Sequence, residues 1–366
     1  MSKLPITNYI GCLIGGAAGD ALGAPVEFLT LQQIRNHYGQ QGVTGYVEFG
    51  EGSGEFTDDT QMTLFTAEAL LRAYHRAMLK GIGGALNTIA HHSYLRWLHT
   101  QGETVSCENI HHGVYDLEGW LIRQKLLYKR RAPGNTCISA LESGIAGSVE
   151  NPINNSKGCG TIMRMAPVGL IWPGNAEDAF KHGCDLAAIT HGHPSGYLSA
   201  GFFAAVISEI AAGNKIIDAI HDVSTILKHW DHHHETLEAV NKALALAKEV
   251  YIPGVKPHPE MIKQLGAGWV AEEALAISLF ASLIFEKDFR SGVLYAVNHG
   301  GDSDSTGSIT GNILGLINGL ESIPPEWVTN LKGNEIVATI AQDLHTGVKG
   351  DSFDMDNEWW EKYPGY

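Results

Sequence analysis

The feature that most constrains this chain is an apolar stretch near its N-terminus, "YIGCLIGGAAGDALG", which is rich in glycine and alanine. Its apolar residues recur at the i, i+3, i+4 spacing of one helix face. Because small residues on that face allow a neighbouring helix to approach closely, we expect this helix to lie in the middle of the fold. The apolar run is short, is interrupted by glycine and leads directly into Asp20. We therefore interpret it as a core helix rather than as a secretory leader.

Helical spacing of apolar residues also dominates the rest of the sequence. It recurs at residues 60–78, 84–99, 115–127, 162–171, 197–212, 235–250, 269–285, 291–297 and 308–320. The alternation typical of strands is nearly absent, and residues 43–49, "VTGYVEF", are the best candidate for a strand. Glycine and proline clusters along the chain are too short to be domain linkers. The pattern predicts an all-α protein with a single domain over residues 1–366.

Charge and cysteine content narrow the expected partners and compartment. The 366-residue chain has a formal net charge of -15, which repels nucleic acid and anionic membranes, so we expect neither as a partner. No stretch approaches the roughly 20 apolar residues that cross a bilayer. The cysteines are odd in number, widely spread and without CxxC spacing, which favours a reduced, cytoplasmic protein. They are Cys12, Cys107, Cys137, Cys159 and Cys184.

A first acidic cluster directly precedes a strongly apolar helical run and consists of Thr57, Asp58 and Asp59. Thr57 suits the N-cap of the helix, and the two aspartates fall in its first turn, near the positive end of the helix dipole. A helix start of this composition requires no metal by itself. Helix capping therefore remains an alternative to cation binding at these residues.

A second acidic cluster, Asp302, Asp304 and Ser305, follows two glycines and precedes another apolar helical run. Capping is again an alternative, but two aspartates this close repel each other unless a positive charge lies between them. The segment "DSDSTG" resembles the start of an EF-hand loop, whose twelfth position is normally a bidentate glutamate. That position is Ile313 here, so we exclude an EF-hand.

The two clusters, if the fold brings them together, would form an all-oxygen site of four carboxylates and two hydroxyl groups. Oxygen donors suit hard cations such as Mg²⁺ or Mn²⁺ better than zinc. One cation would leave this site overcharged, whereas two cations about 3.5 to 4 Å apart would balance it.

A set of motifs covers most of the chain in a fixed order. They are "GCLIGGAAGDALGAPVEF", "GEFTDDTQMTL", "RWL", "RAPGNTCISAL", "SKGCGTIMRMAPVGL", "ITHGHPSGYLSAG", "GWVAEEALAISL" and "NHGGDSDSTGSITGNILG". In this order and spacing they resemble the ADP-ribosylglycohydrolase family. The resemblance implies a compact, all-α orthogonal helical bundle with a binuclear Mg²⁺ or Mn²⁺ site in a central cleft. The metal positions that it implies are Thr57, Asp58, Asp59, Asp302, Asp304 and Ser305.

The resemblance also implies catalytic and substrate-binding residues. Glu27 matches a family glutamate beside the metals, and we expect either Glu27 or Asp304 to be the general base. Residues 156–160 match the loop whose backbone amides receive the diphosphate and the distal ribose of ADP-ribose. That loop consists of Ser156, Lys157, Gly158, Cys159 and Gly160. Cys159 stands where many family members carry asparagine, and His191 matches a family histidine near the phosphates.

Other polar residues of these motifs are given structural or specificity roles. We expect Asp20 to be a buried hydrogen-bonding group and Arg164 to be an ion-pair partner rather than a phosphate ligand. Glu272 or Glu273 could offer a carboxylate to a departing guanidinium group. The alternative is that at least one of these two glutamates faces solvent on its helix.

The activity implied by the resemblance is removal of ADP-ribose from modified protein side chains, with ADP-ribosyl-arginine favoured as the linkage. Two alternatives remain open. One is hydrolysis of another ADP-ribosyl linkage, to serine or to a small molecule, and the other is a non-catalytic, metal-binding member of the same fold. The expected partners are an ADP-ribosylated protein and the product ADP-ribose, and we expect a monomer.

Overall fold

The computed structural model describes residues 3–50, 52–105, 117–252, 256–349 and 357–364. Cys107 and the first two residues of the predicted helix 115–127 therefore lie outside the described residues. Within the described ranges the regular secondary structure is helical apart from one small antiparallel hairpin, in which Glu48–Phe49 pairs with Gly52–Ser53. The all-α fold class predicted from the sequence is confirmed.

The α-helices are numbered in chain order. They are α1 Ile6–Gly23, α2 Leu31–Tyr38, α3 Asp58–Lys80, α4 Leu86–Thr100, α5 Asn135–Glu142, α6 Ala166–Ile171, α7 Ala176–Ala188, α8 Pro194–Ala211, α9 Ile216–Leu227, α10 His234–Val250, α11 Ala271–Ile284, α12 Phe289–Val297, α13 Ser303–Asn318, α14 Pro325–Asn330, α15 Asn334–Lys349 and α16 Asn357–Lys362. Short 3-10 helices occur at Ala24–Val26, Leu121–Arg123, Lys125–Tyr128, Cys159–Thr161, Pro259–Gln264 and Leu320–Ser322.

Helix α1 lies in the core, as its small residues predict, and nearly all of it is buried. Its glycines face α13, which runs antiparallel to it. A methyl group on Gly19 would overlap the carbonyl oxygen of Gly307, and one on Gly11 would overlap the carbonyl oxygen of Gly315. Any larger side chain at these positions would push the two helices apart, so this close packing requires glycine.

The packing of α1 positions the ends of two other helices. Because α1 and α13 are antiparallel, the last residue of α1, Gly23, lies against Ser303 at the start of α13. Asp20 of α1 accepts hydrogen bonds from the backbone amides of Thr57 and Thr60, at 2.9 and 3.0 Å, and so fixes the start of α3. The N-terminal ends of α3 and α13 therefore meet beside the C-terminal end of α1.

One helical segment among the described residues, Ile6–Val26, is long and apolar enough to cross a membrane. The expectation that no stretch of the sequence approaches that length and apolarity is therefore wrong. Inside the fold, 94% of the relevant window is buried. A core helix passes the same test of length and composition, and this burial agrees with the interpretation of the segment as core.

Most of the predicted helical segments are helices whose ends differ from the prediction by a few residues. Three predictions need correction. The described part of 115–127 forms only two short 3-10 helices, the α-helix within 162–171 begins at Ala166, and the strand predicted at 43–49 is confined to its last two residues. In each case glycine, proline or the surrounding loops interrupt the regular backbone that the apolar spacing suggested.

Several helices were not predicted from the sequence. They are α2, α5, α7, α9, α14, α15 and α16. Helix α9 shows one reason: it is rich in isoleucine, valine and threonine, which have low intrinsic helix preference because branching at Cβ restricts the side chain. Helix α2 begins with a capping box formed by Thr30 and Gln33, and this pair is a local sequence indication of a helix start.

Candidate active site

Five carboxylates from three parts of the chain converge where α1, α3 and α13 meet. Glu27 follows the 3-10 helix after α1, Asp58 and Asp59 form the first turn of α3, and Asp302 and Asp304 lie at the start of α13. All five are buried. One carboxylate oxygen from each of Glu27, Asp302 and Asp304 lies within 4.8 Å of the other two. We call these five residues the carboxylate cluster.

Two hydroxyl residues complete the junction of the two acidic segments. The Thr57 hydroxyl donates to Asp304 Oδ2 at 3.3 Å and accepts from the amide of Asp59 at 3.3 Å. The amide of Ser305 donates to Asp304 Oδ1 at 2.9 Å. The residues that the sequence assigned to a metal site are thus brought together from both acidic segments.

Burial and mutual repulsion control the protonation of the carboxylate cluster. Burial, followed by the charges of Asp304 and Asp302, raises the pKa of Glu27 to about 10. The pKa values of Asp58, Asp59 and Asp302 lie well above their usual range, again because of burial first and Asp304 second. Among the described residues, none of the leading causes of these shifts is a cationic side chain. These groups cannot all ionise near neutral pH without added positive charge.

The donor atoms fit hard divalent cations. Every polar group of the carboxylate cluster presents oxygen, and two buried oxygens, Glu27 Oε2 and Asp59 Oδ2, have no hydrogen-bond partner among the described residues. An unpartnered buried carboxylate oxygen is costly, and coordination of a cation removes that cost. The residues present are therefore compatible with the Mg²⁺ or Mn²⁺ site that the sequence predicts.

Asp20 has the structural role expected from the sequence. It is fully buried, and besides the amides of Thr57 and Thr60 it accepts the Thr60 hydroxyl at 2.5 Å. Burial and the neighbouring Asp304 raise the pKa of Asp20 to about 7. These hydrogen bonds hold the start of α3 in place. Asp20 therefore fixes the helix turn that carries two residues of the carboxylate cluster.

The loop Ser156–Gly160 borders the carboxylate cluster. The Cys159 thiol donates to Asp302 Oδ2 at 2.7 Å, and the Cys159 amide donates to the Trp269 carbonyl oxygen at 3.2 Å. The amide of Ser156 is also used internally, by Asn154 Oδ1 at 3.0 Å. The amide of Gly158 donates to the Ser156 hydroxyl at 3.4 Å as well. Three of the five backbone amides of this loop are therefore already engaged, so fewer of them can receive a diphosphate than the sequence predicts.

His191 lies beneath this loop. It is buried, its Nδ1 lies 2.8 Å from the Thr190 hydroxyl, and its Nε2 would be 3.4 Å from a methyl group placed on Gly158 or on Gly160. Burial and the charge of Arg164 lower the pKa of His191 to about 3. The ring is therefore neutral near pH 7 and contributes no positive charge to the loop.

Lys157 contacts carboxylates outside the cluster. Its ammonium group binds Glu235 of α10, at 2.5 Å, and Glu272 of α11. Glu272 is buried, and its Oε2 has no partner among the described residues. Glu273 is half-buried and accepts from the amides of residues 267 and 268. The alternative that one of these two glutamates faces solvent is therefore wrong.

Comparisons with known proteins identify the family of the chain. The model of the family described as ADP-ribosylglycohydrolase matches residues 1–352. The chain belongs to the ADP-ribosylglycohydrolase family. Members of this family act as hydrolases on ADP-ribosylated proteins and give ADP-ribose.

Individual relatives of this family member are distant. It is 24% identical to "ADP-ribosylarginine hydrolase Tri1" of Serratia proteamaculans, over 91% of this chain and 78% of that one. It is 23% identical to "ADP-ribosyl-[dinitrogen reductase] glycohydrolase" of Rhodospirillum rubrum, over 88% and 89% of the two chains. A solved structure titled "ADP-ribosylglycohydrolase-related protein complex" matches with a TM-score of 0.61 and 23% identity, over 94% of this chain and 98% of its own. That likeness shows the fold.

Arg164 makes no ion pair with the residues that the structure describes, in contrast to the prediction from the sequence. It is fully buried, Nη2 donates to the Thr190 hydroxyl at 2.7 Å, and the guanidinium carbon lies 4.3 Å from the centroid of the Tyr94 ring. Its other hydrogen-bond partners among the described residues, a carbonyl oxygen and two sulfurs, are neutral. The aromatic face takes the place of a carboxylate in stabilising this charge.

Two aromatic side chains border the carboxylate cluster and were missed in the sequence. The rings of Phe28 and Trp269 stack with centroids 5.6 Å apart and an interplanar angle of 21°. They are 71% and 41% exposed, respectively. Phe28 directly follows Glu27, and the Trp269 carbonyl is bonded to Cys159. The position of Phe28 directly after Glu27 was the available sequence signal, whereas the contact of Trp269 with Cys159 forms only in the folded chain.

The raised pKa values lead to an expected pH dependence of stability without metal. A carboxyl group whose pKa is higher in the folded protein makes folding weaker as pH rises from its unfolded pKa towards its folded pKa. For Glu27 this window runs from 4.5 to about 10. With a chelator present, we expect the Tm to fall between about pH 5 and about pH 9, and excess Mn²⁺ to reduce that fall. Thermal unfolding across this range measures both effects, and a chelated Tm that rises with pH would contradict the expectation.

Proposed function

We propose that this chain is a metal-dependent hydrolase that releases ADP-ribose from ADP-ribosylated arginine side chains, and so reverses mono-ADP-ribosylation of proteins. The observation that carries the proposal is the convergence of the two acidic segments beside the loop Ser156–Gly160. Membership of the family supports hydrolysis of an ADP-ribosyl bond. The printed name of the Serratia relative supports arginine as the acceptor.

Two divalent cations, Mg²⁺ or Mn²⁺, are proposed as the cofactors. The residues that would hold them are Thr57, Asp58, Asp59, Asp302, Asp304 and Ser305. Such cations, when bound, supply Lewis acidity that orients ribose hydroxyl groups and favours ionisation of water. Cleavage at C1 of the ribose develops oxocarbenium-like charge on the sugar, which the carboxylates around it stabilise.

Glu27 is the proposed acceptor of the proton from the attacking water. Its Oε2 has no partner among the described residues, so one oxygen remains able to bind that proton. Asp304, the other candidate, already accepts hydrogen bonds on both oxygens, from Thr57 and from Ser305. A general base needs a lone pair directed at the reacting water, and Glu27 satisfies this requirement better.

The loop Ser156–Gly160 is the proposed diphosphate site. Its glycines allow a phosphate to approach the backbone closely, and backbone amides hold an anion without a cationic side chain. Local amides of this kind explain how a chain with a net charge of -15 would bind ADP-ribose. With the amides of Ser156, Gly158 and Cys159 engaged inside the protein, the amides of Lys157 and Gly160 would make these contacts.

Replacing Gly158 tests the loop. A methyl group at this position would meet no atom closer than 3.4 Å, so Gly158→Leu is expected to fold and to fill the space where a phosphate would lie. We expect ADP-ribose affinity, measured by calorimetry, to fall about tenfold or more, which is about 1.4 kcal/mol. Gly83→Leu, at an open position elsewhere, is the matched control. Unchanged affinity in Gly158→Leu would remove this loop from the binding site.

The acceptor is proposed to be arginine because the site offers carboxylates beyond the cluster. Glu272 Oε2 is buried and unpartnered among the described residues, so it can accept from a guanidinium group, whereas a serine leaving group carries no matching charge. We expect an ADP-ribosyl-arginine protein to be cleaved about tenfold faster or more than an ADP-ribosyl-serine protein.

Matched arginine- and serine-modified substrates, assayed for ADP-ribose release with and without chelator, test this assignment. Faster release from serine would overturn the arginine assignment but would leave a metal-dependent hydrolase. No release from either substrate with Mg²⁺ or Mn²⁺ present would favour the non-catalytic alternative.

The four cysteines that the structure describes are free, which supports placing this reaction in the reducing cytoplasm.

A further inference from the structure

Trp269 is fixed beside the carboxylate cluster by its backbone and by the residue before it. That residue, Gly268, is so close to the cluster that a methyl group on it would lie 3.2 Å from Asp302 Cβ. The carbonyl oxygen of Trp269 accepts the amide of Cys159 at 3.2 Å. Trp269 is therefore held between a proposed metal ligand and the loop Ser156–Gly160.

Phe28 reaches the same place from another part of the chain. It directly follows Glu27, the proposed general base, and its ring stacks on the ring of Trp269 with centroids 5.6 Å apart. Phe28 is 71% exposed and Trp269 is 41% exposed. Exposed aromatic rings that lie together at the edge of a site are typical of surfaces that contact a ligand or a partner. We call these two side chains the aromatic pair.

The position of the aromatic pair selects the part of the substrate that it can contact. In the proposed reaction, bond cleavage takes place at C1 of the ribose beside Glu27, so side chains next to Glu27 and Asp302 lie at the reacting end of the substrate. The diphosphate leads away from this end, along the loop Ser156–Gly160, towards the adenosine. The acceptor side chain is bonded to C1 itself, so the acceptor is the group that comes nearest to the two rings.

An arginine acceptor offers a group that suits exposed aromatic rings. Its guanidinium group is planar and cationic, and it stacks on aromatic faces through cation–π attraction and contact between the two planes. Stacking leaves the N–H groups at the edge of that plane free to donate to a carboxylate such as that of Glu272. A serine acceptor has neither the plane nor the charge, so the same rings would hold it less strongly.

We propose that Phe28 and Trp269 bind the guanidinium group of the acceptor by stacking, and so determine the preference of this chain for ADP-ribosyl-arginine. The inference rests on the proposed function, because it requires the reaction to take place at the carboxylate cluster. The two rings bind and orient the leaving group, and no bond to either ring forms or breaks.

The test replaces both rings in the full-length protein by leucine, as Phe28→Leu with Trp269→Leu, which keeps apolar side chains but removes the aromatic faces. The value of kcat/KM for an arginine-linked ADP-ribosyl protein is expected to fall about tenfold, the effect of one cation–π contact partly shielded from water. Its ratio to kcat/KM for the matched serine-linked protein should fall by a similar factor. ADP-ribose has no guanidinium group, so its affinity, measured by calorimetry, should change by less than about twofold.

Two control variants keep this test specific. Phe28→Tyr with Trp269→Phe retains an aromatic ring at both positions and is expected to restore the arginine preference. Tyr251→Leu removes an exposed ring at the C-terminal end of α10 and is expected to change neither the preference nor the affinity for ADP-ribose.

The outcomes separate this inference from the proposed function. If the wild type prefers the arginine linkage and the leucine variant keeps that preference, the inference is overturned and the proposed function stands. The same holds if the leucine variant loses kcat/KM equally on both linkages, or loses ADP-ribose affinity in proportion, because the rings then contact the ribose or adenosine or only support the fold. A wild type that releases no ADP-ribose from arginine would reject the proposed function, and the inference with it.

Discussion

Replacing Asp58 and Asp59 together by asparagine is expected to slow ADP-ribose release about a thousandfold or more. Both side chains lie in the first turn of α3 and face the other carboxylates of the cluster. Asparagine keeps their size but removes two of the negative charges that would hold the divalent cations. The loss is therefore expected to appear as lost Mn²⁺ binding as well as lost turnover.

The same double variant is expected to fold. Burial and repulsion from Asp304 raise the pKa of both aspartates, so their charges weaken the metal-free fold rather than stabilise it. In chelator the variant should melt at or above the wild-type temperature, with an unchanged helical circular dichroism spectrum. The matched control is Asp218→Asn with Asp222→Asn on α9, where both side chains are exposed. Full activity in the Asp58 and Asp59 variant, or in chelated wild type, would falsify the metal mechanism.

Glu27→Gln is expected to lower kcat by about a hundredfold to ten-thousandfold, the usual contribution of a general base. Glutamine has nearly the same shape but cannot accept the proton of the attacking water. Binding of ADP-ribose and of Mn²⁺ should change far less than kcat, because the proposed metal ligands and the loop Ser156–Gly160 remain. The measurement is single-turnover release of ADP-ribose from the arginine-linked substrate, together with calorimetry of ADP-ribose binding.

A comparison with Asp304→Asn makes this test specific. Asp304 is a proposed metal ligand, so its variant should lose Mn²⁺ binding and turnover together, whereas Glu27→Gln should lose turnover with Mn²⁺ still bound. Glu177→Gln, at an exposed position of α7, controls for a general effect of removing a glutamate. Wild-type kcat in Glu27→Gln would show that another group is the base.

The sequence predicted the helical class and the two acidic segments because both depend on short-range chemistry. Apolar residues at a spacing of three and four place one face of a helix in the core wherever that helix packs. Threonine and aspartate favour helix N-termini through their own hydrogen bonds and charge, so Thr57 to Asp59 at the start of α3 follows from local preference. The small residues of α1 likewise indicated close packing before any partner helix was known.

Local sequence patterns predicted the structure less reliably where contacts with neighbouring segments determine the backbone conformation. The strand predicted at 43–49 covers only Glu48–Phe49, in a short hairpin. Helix α9 was not predicted because its β-branched residues are typical of strands. Arg164 was expected to need a carboxylate, but a ring and neutral acceptors surround it instead. No spacing rule in the sequence reports which side chains a buried charge will meet.

The sequence by itself determined which residues could form the site, and the tertiary structure decided which of them meet. The antiparallel contact of α1 with α13 sets Asp302 and Asp304 beside Glu27, although these residues are far apart in the chain. The same packing turned Lys157 towards Glu235 and Glu272 and left the Cys159 sulfur against Asp302. Helix capping and periodicity are properties of a few consecutive residues, whereas these contacts depend on the register of helices that only long-range packing fixes.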